Sequence, residues 1–318
     1  MSSAAAEPVV RVTDLRKEYG QVTAVDGVSF EIMPDEVFAL VGPNGAGKTT
    51  AVEMLECLRT PTGGTATVLS HDLGADPRAI KSEIGVVPQS FHTFDRLTVR
   101  ENVALARRMY DDGIGVEAVL DRLELMEYAD TRFSALSGGY KRRTGIAMAL
   151  ASDPSILFLD EPTTGLDPAA RRTTWAQIER LRELGTTVVL TTHYMEEVER
   201  LADRAALLVD GSLVAVDAVS KLIDDYGGDV KLVVETGRHG EAVAGEVESI
   251  LRAAAGEVYR NETGDLVGLF GQRDRAQETF GRLQEAADGR SINLTTAGMD
   301  DVFLQLAGEA VDGGGDLR

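Results

Sequence analysis

The chain has 318 residues, 43% of them hydrophobic, which is enough for one large domain with a smaller companion and a sizeable buried core. Its 32 basic and 52 acidic side chains leave a net charge of -20, which excludes binding to nucleic acid by bulk attraction. The single cysteine excludes an internal disulfide and any metal site built from several cysteines.

The first elements along the chain are two short predicted strands, at residues 9–15 and 28–32, with turn signals at Gly20 and Pro34. The N-terminal stretch MSSAAAEPVV has neither a basic region nor a long apolar run, so we expect no signal peptide. No charge-free apolar run approaches the ~18 residues of a membrane span. We therefore expect a cytoplasmic chain without a membrane span of its own.

A glycine-rich loop follows the next strand. Residues 37–41 (VFALV) predict a buried strand, and the periodic stretch 48–58 predicts a helix. Between them, GPNGAGKT matches the phosphate-loop pattern, in which backbone N–H groups and the helix N-terminus point at phosphate oxygens. Lys48 can reach the β- and γ-phosphates, and Thr49 presents a hydroxyl to Mg²⁺. The predicted nucleotide-binding residues here are Gly42, Pro43, Asn44, Gly45, Ala46, Gly47, Lys48, Thr49 and Thr50.

An inserted helical subdomain is predicted at about residues 90–150. A short apolar strand at 84–87 precedes it and is followed by Gln89. The segment itself is rich in Glu, Arg, Leu and Ala at helical spacing, with breaks at Gly113 and at the Ser-Gly-Gly turn of residues 137–139. We interpret it as a helical insertion within the nucleotide-binding domain.

Another apolar strand, at residues 156–159, ends in two adjacent acids. Asp160 is placed to hold Mg²⁺, usually through water, as in other nucleotide-binding proteins with a phosphate loop. Glu161 is then the candidate to orient and deprotonate the attacking water. Acids at strand ends are ordinary, but a pair downstream of a phosphate loop predicts nucleotide hydrolysis.

Two more apolar strands follow, at residues 187–190 and 205–209, and His193 comes shortly after the first of them. Helix-like segments separate these strands from the earlier ones. Strands that alternate with helices predict a parallel α/β sheet. We assign residues 1–225 to this nucleotide-binding domain.

The pattern restarts after the Tyr-Gly-Gly sequence of residues 226–228. The predicted strands are 231–235, 267–270 and 291–295, and the predicted helices are 240–255, 275–287 and 299–307. This alternation favours a small split α/β domain of ferredoxin-like type at residues 226–318. A short Gly-rich, acidic tail, expected to be flexible, follows Gly308.

Residues 136–143, Leu-Ser-Gly-Gly-Tyr-Lys-Arg-Arg, resemble the signature motif of ABC ATPases, LSGGQ followed by a basic run. Tyr140 departs from the family, which most often has Gln there. Residues 165–167 (Gly-Leu-Asp) are similar to the family's D-loop, and His193 to its switch histidine. Residues 9–225 are therefore identified as a member of the ABC ATPase superfamily. The elements that carry this resemblance are the phosphate loop, Gln89, the 136–143 motif, Asp160-Glu161, the segment 165–167 and His193.

The resemblance implies that two such subunits sandwich two molecules of Mg-ATP. Each γ-phosphate would be clamped between one subunit's phosphate loop and the other's Ser137, Gly138 and Gly139, at a helix N-terminus suited to an anion. The partner would be a second copy of the chain or a related ATPase. A lone monomer would then bind ATP but hydrolyse it poorly.

The resemblance also implies a role for each site residue. Glu161 would be the general base, and Lys48 would stabilise transition-state charge. Gln89 would touch Mg²⁺ or the attacking water and report nucleotide occupancy to a membrane partner. His193 would hydrogen-bond the γ-phosphate and Glu161, and Tyr19 would stack on adenine. The metal-binding set would be Thr49, Gln89 and Asp160.

The segment 295–308 is similar to the C-terminal ending of drug-export and ABC-2-type ATPase subunits, and residues 91–103 fit the same branch. This implies export driven through a separately encoded integral-membrane permease, with the ATPase bound at the inner face of the membrane. An importer ATPase and a soluble ABC ATPase without a transport role remain alternatives. The expected fold is α/β: a P-loop NTPase core of ABC type with an antiparallel β subdomain and a helical subdomain, plus the small C-terminal α/β domain.

Overall fold

The computed structural model describes residues 7–236, 241–261, 263–286 and 289–312. They belong to two compact units, Met1–Asp217 and Ala218–Arg318, each with its own sheet and core. Positions 1–6, the predicted helix start at 240 and the tail from position 313 lie outside the described residues. Along the described part of the chain, none of the helices combines the length and apolarity needed to span a bilayer.

The first unit is built from two sheets and the helices around them. Its strands are β1 (Val10–Tyr19), β2 (Val22–Ile32), β3 (Val37–Val41), β4 (Gly63–Val68), β5 (His71–Asp72), β6 (Ile84–Val87), β7 (Ile156–Asp160), β8 (Thr187–Thr192), β9 (Arg204–Val209) and β10 (Ser212–Ala218). Its α-helices are α1 (Lys48–Leu55), α2 (Pro77–Glu83), α3 (Val99–Arg107), α4 (Val116–Arg122), α5 (Gly138–Leu150), α6 (Pro168–Glu183) and α7 (Met195–Leu201).

A six-stranded sheet with the order β10-β9-β3-β8-β7-β6 forms the centre of this unit. The pairs β3–β8, β3–β9, β7–β8 and β6–β7 are all parallel. Every residue of β3 and β8 is buried, as expected for parallel strands covered on both faces. Because these strands run in one direction, the carboxyl ends of β3, β6, β7 and β8 lie at one edge of the sheet. The predicted parallel α/β core is confirmed.

A second sheet, with the order β2-β1-β4-β5, is antiparallel throughout its pairings. It shares a core with the parallel sheet, and the rings of Phe30 and Phe38 stack with centroids 5.4 Å apart. Strands β1 and β2 are longer than predicted because they stay paired up to Tyr19 and Val22, past several register shifts. Those shifts and the exposed side chains of the outer half hide the alternation on which a strand prediction depends.

The chain between β6 and β7 is helical, as predicted. It contains α3, α4 and α5 with two short 3₁₀ turns between the last two helices. A capping box starts α3: the Glu101 backbone N–H donates to the Thr98 hydroxyl, and the Thr98 N–H donates to the Glu101 carboxylate. Helix α1 is shorter than the predicted helix at 48–58, because Cys57 takes the left-handed conformation with φ 56°.

The second unit contains one antiparallel sheet with the order β12-β13-β11-β14. Its elements are α8 (Val219–Leu222), a π-helical turn (Ile223–Gly227), β11 (Val230–Val234), α9 (Glu241–Ala254), β12 (Glu257–Arg260), β13 (Leu266–Phe270), α10 (Arg273–Ala286), β14 (Ile292–Thr296) and α11 (Met299–Asp312). The βαββαβ alternation with this strand order is the split arrangement of ferredoxin-like type. Apolar side chains from the sheet and from α9 and α10 form its core.

Candidate active site

The phosphate loop joins the carboxyl end of β3 to the start of α1. Gly47, directly before the helix, has φ 94°, and a Cβ there would lie 2.1 Å from the carbonyl oxygen of Ala24. A Cβ on Gly42 would lie equally close, 2.1 Å from the carbonyl oxygen of Leu208. Both positions therefore require glycine, because the loop runs against neighbouring backbone.

Lys48 folds back over this loop. Its Nζ donates to the carbonyl oxygens of Gly42 at 2.7 Å and Pro43 at 2.9 Å, and the residue is only 5% exposed. Burial lowers the pKa of the ammonium group, while the carboxylates of Glu161 and Asp160 act in the opposite direction. The lysine is thus held at the mouth of the loop between neutral acceptors, with the two acids close enough to favour its charge.

Asp160, the last residue of β7, faces the start of α1. Its two carboxylate oxygens lie 3.3 and 3.5 Å from the Thr49 hydroxyl, and the Thr191 hydroxyl from β8 donates to it. Gln89, whose side chain has an amide oxygen, lines the same cleft as Thr49. Hydroxyl, carboxylate and amide oxygens are the ligands that Mg²⁺ prefers, usually together with phosphate and water. This donor set therefore fits the predicted ion.

Glu161 is held by contacts from three other segments of the chain. Its backbone has φ 43°, unusual for a residue other than glycine, and its N–H donates to the carbonyl and hydroxyl oxygens of Thr191. Its Oε2 accepts from Gln89 Nε2 at 2.7 Å and from the Thr164 hydroxyl at 3.0 Å. His193 Nδ1 lies 3.4 Å from Oε1. The carboxylate is thus held in place by Gln89, Thr164 and His193.

These groups surround a cleft of about 540 Å³. Residues from the phosphate loop and from the carboxyl ends of β6, β7 and β8 share its wall, which is the edge predicted by the parallel strand directions. The lining residues are Ala24, Asn44, Gly45, Ala46, Gly47, Lys48, Thr49, Thr50, Gln89, Glu161, Thr164 and His193. The structure therefore brings the predicted loop residues together with Gln89, Glu161 and His193.

Several parts of the predicted site are not among the residues that line this cleft. Gly42, Pro43 and Asp160 are absent from the lining, although each contacts Lys48 or Thr49. Tyr19 and residues 137–139 are absent as well.

Tyr19, at the end of β1, is 42% exposed. Lys17 Nζ lies 5.1 Å from its ring centroid. Ser137 and Gly138 are exposed at the N-terminus of α5, where the Ser137 side chain makes no capping hydrogen bond. This exposed helix start leaves backbone N–H groups free for a group arriving from outside the chain.

Three further residues of the site were not predicted from the sequence. Thr164 donates to Glu161, Thr191 donates to Asp160, and Arg142 donates to the carbonyl oxygens of Pro88 and Asp160. Thr164 stands three residues after Glu161, a spacing that allows a turn contact. The other two act across distances in sequence that no local pattern encodes.

Comparisons with known proteins identify relatives along nearly the whole chain. The profile of the ABC transporter family matches residues 25–164. The chain is 38% identical over 308 residues to the Nod factor export ATP-binding protein I of Paraburkholderia xenovorans, covering 95% of this chain and 98% of that protein. It is 33% identical over 312 residues to the daunorubicin/doxorubicin resistance ATP-binding protein DrrA of Streptomyces peucetius, covering 95% and 93%.

Solved structures resemble the first unit in fold. A dimeric ATP-binding cassette in a post-hydrolysis state, bound to ADP and Pi, superposes with a TM-score of 0.59 at 28% identity, covering 66% of this chain and 98% of that one. An ATP-binding cassette of an ABC transporter in its ADP conformation superposes with a TM-score of 0.62 at 22% identity, covering 68% and 93%. Both are cassettes that bind adenine nucleotides.

Proposed function

The chain belongs to the ABC transporter family as an ATP-binding, ATP-hydrolysing subunit, and on that premise we propose that it powers an exporter whose membrane permease is a separate chain. Its relatives include ATP-binding proteins of Nod factor export and of daunorubicin resistance, and these roles support the direction of transport. The lack of a spanning helix in the described residues is compatible with a peripheral place on the inner face of the membrane. The transported molecule would be selected by the permease.

The observation that carries the hydrolytic part of this proposal is the position of Glu161 at the cleft. Gln89, Thr164 and His193 hold its carboxylate beside the cleft in front of the phosphate loop. In the proposed reaction Glu161 accepts a proton from the water that attacks the γ-phosphate. Lys48 and the loop N–H groups stabilise the charge that develops on the phosphate oxygens. His193 donates toward Glu161 or the γ-phosphate.

A bound Mg²⁺ would neutralise negative charge on the phosphates. We assign Thr49, Asp160 and Gln89 to its binding, directly or through water. Tyr19 is assigned to the adenine on the family resemblance. Its exposed ring beside Lys17 offers a face on which a base can stack.

We propose that the working form is an ATP sandwich of two copies, with Ser137, Gly138 and Gly139 of one copy on the nucleotide of the other. The exposed start of α5 supports this arrangement. A dimeric state of an ATP-binding cassette among the structural relatives supports it further. Acid–base chemistry at Glu161 and γ-phosphate binding at α5 would then both depend on dimer closure.

The test is light scattering of Glu161→Gln with Mg-ATP at low and high salt, together with phosphate release. Removing the base should lower turnover by roughly 10²–10³-fold while ATP still binds, so that a nucleotide-dependent dimer accumulates. Glu196→Gln, the same change at an exposed position, should leave turnover and dimerisation unchanged. A variant that stays monomeric with ATP bound in both salts would refute the self-sufficient homodimer.

The transport role is tested separately, by purification of the tagged chain from detergent-solubilised membranes. Stoichiometric recovery of one integral-membrane protein, with ATP turnover stimulated by that partner, is the expected result. Recovery of the chain from the soluble fraction alone, with full turnover and no membrane protein, would favour an ABC ATPase without a transport role.

A further inference from the structure

Arg142 lies in the second turn of α5 and reaches the catalytic edge of the sheet. Its Nη1 donates to the carbonyl oxygen of Pro88 at 2.7 Å, and its Nη2 donates to the carbonyl oxygen of Asp160 at 2.7 Å. These carbonyls belong to the residues directly before Gln89 and Glu161. One guanidinium therefore holds both peptide groups from which the two side chains project.

The neighbouring basic residues of the same motif do something different. Lys141 Nζ lies 5.5 Å from the ring centroid of Phe133, and the Arg143 guanidinium lies 4.2 Å from the ring centroid of Tyr140. Both contacts stay within the helical subdomain. Of the three basic side chains at 141–143, Arg142 is the one that bonds to the loops at the ends of β6 and β7.

The guanidinium is also buried without an ion-pair partner among the described residues. Arg142 is 7% exposed, and no carboxylate there lies within the 4.0 Å of a salt bridge. Burial lowers its pKa to about 10, and the carboxylates of Asp160, Glu197 and Glu161 oppose that shift. A buried charge held by backbone carbonyls is costly for the fold, which suggests that its geometry serves the site.

We propose that Arg142 is a positioning residue that ties the start of α5 to the peptide groups before Gln89 and Glu161. The inference rests on the proposed function, in which α5 contacts the γ-phosphate held by the partner copy. Its two hydrogen bonds set where Gln89 and Glu161 stand relative to Ser137. When α5 moves on contact with the nucleotide held by the partner copy, Arg142 passes this movement to Glu161 of its own subunit. Glu161 acts on the nucleotide held by that subunit's own phosphate loop.

The primary test is Arg142→Met in the full chain, with kcat for ATP hydrolysis and Kd for Mg-ATP measured separately. Loss of both hydrogen bonds should lower kcat by about 20-fold and change Kd by less than about threefold, because the phosphate loop is untouched. Arg142→Lys keeps a donor that reaches at least one carbonyl and should restore part of the loss. Arg107→Met is the matched control. Arg107 also donates to a backbone carbonyl, that of Tyr110 at 2.8 Å, but this hydrogen bond does not involve the residues of the site.

A double variant separates positioning from mere packing. If Arg142 acts through Glu161, Arg142→Met should lower the residual turnover of Glu161→Gln by less than about twofold, because no base remains to be positioned. Multiplicative effects would overturn the inference. The inference would also be overturned if Arg142→Met left kcat unchanged, or if it lowered kcat no more than Arg107→Met does.

Cooperativity between the two nucleotides provides a further readout. The wild-type Hill coefficient for ATP hydrolysis should exceed 1 and should fall toward 1 in Arg142→Met. A cooperative wild type with an equally cooperative Arg142→Met variant would overturn this inference and leave the proposed function standing. A wild type whose turnover is not lowered by Glu161→Gln would overturn the proposed function and this inference together.

Discussion

Asp301 of the C-terminal unit and Glu161 of the first unit are both largely shielded from solvent, and their carboxylates are held in opposite ways. Asp301 of the C-terminal unit is fully buried and accepts from Lys231 Nζ at 2.6 Å, from the Tyr259 hydroxyl at 2.5 Å and from the Gly298 N–H at 2.7 Å. Glu161 of the first unit, whose side chain is 10% exposed, is held by Gln89, Thr164 and His193.

The difference lies in the charge of the donors. The carboxylate oxygens of Asp301 accept hydrogen bonds from a cation and from two further donors. Burial and this carboxylate raise the pKa of the Tyr259 hydroxyl, so Tyr259 remains a donor to Asp301. Glu161 has no arginine or lysine within salt-bridge distance among the described residues, and its oxygens face a cleft. A permanent ion pair with Lys231 fixes Asp301 within the fold, whereas the Glu161 carboxylate lies beside a cleft that a substrate can enter.

The largest expected effect on stability comes from removing the Asp301 carboxylate, which Lys231 and Tyr259 contact. Asp301→Ala leaves Lys231 and Tyr259 without their buried acceptor and should destabilise the C-terminal unit by about 3–5 kcal/mol. Hydrogen exchange of the β11 amides measures this, and ATP turnover should change by less than about twofold. The control is Glu248→Ala, which removes surface pairs with Arg252 and Arg260 and should cost at most about 1 kcal/mol. If the β11 amides exchanged equally fast in Asp301→Ala and Glu248→Ala, the Asp301 cluster would not stabilise the C-terminal unit as inferred.

A second expected effect is a pH dependence of stability caused by Glu56, a buried acid of the first unit. Glu56, 5% exposed, lies directly after α1, and its burial, with the carboxylates of Asp160 and Glu53, raises its pKa to about 8. The folded state therefore keeps a proton that an unfolded glutamate with a pKa of 4.5 releases, so the free energy of unfolding falls as pH rises between these values. Over about two pH units in this window the loss should be about 2.5 kcal/mol.

Glu56→Gln should remove this slope, as chemical denaturation at pH values between the two pKa values will show. Glu183→Gln, an exposed change of the same type, should leave the slope as in the wild type. A wild-type stability that does not fall with pH relative to Glu56→Gln would show that the acid is compensated, like Asp301.

Nucleotide should stabilise only the unit with the open site. At ten times its Kd, Mg-ADP should add about 1.4 kcal/mol to the unfolding free energy of the first unit. Hydrogen exchange should slow in β3 and α1 and stay unchanged in β11 to β14. Lys48→Met, which weakens phosphate binding, should abolish the difference at the same ligand concentration. Equal protection of both sheets would contradict the assignment of the cleft as the nucleotide site.

The smallest effect is expected at Tyr140, where the family most often has Gln. The ring packs on Tyr128 with centroids 3.9 Å apart and under the Arg143 guanidinium, within the helical subdomain. Since Ser137 and the two glycines are expected to carry the phosphate contact, Tyr140→Gln should change turnover by less than about threefold. A change near tenfold, in a variant with normal stability, would assign the ring a part in the site.

The sequence predicts well those features that consecutive residues encode. The loop around Lys48 and the acid pair at the end of β7 are local patterns, because each lies within a few consecutive residues. The predicted alternation of the C-terminal unit contained β11, β13 and β14 but missed the short strand β12. Predictions fail where a pattern is broken by register shifts, as in β1 and β2, or by a single left-handed residue, as at Cys57.

Only the tertiary structure decided which of these residues meet. Thr49 and Asp160 are separated by 111 positions, Gln89 and Glu161 by 72, and Arg142 reaches across 54 positions to Pro88. The strand order places β3, β8, β7 and β6 side by side, so the residues at their carboxyl ends converge at one edge. Sequence alone determined the chemical groups, whereas their partners depend on sheet order, which is set by packing between segments distant in the chain.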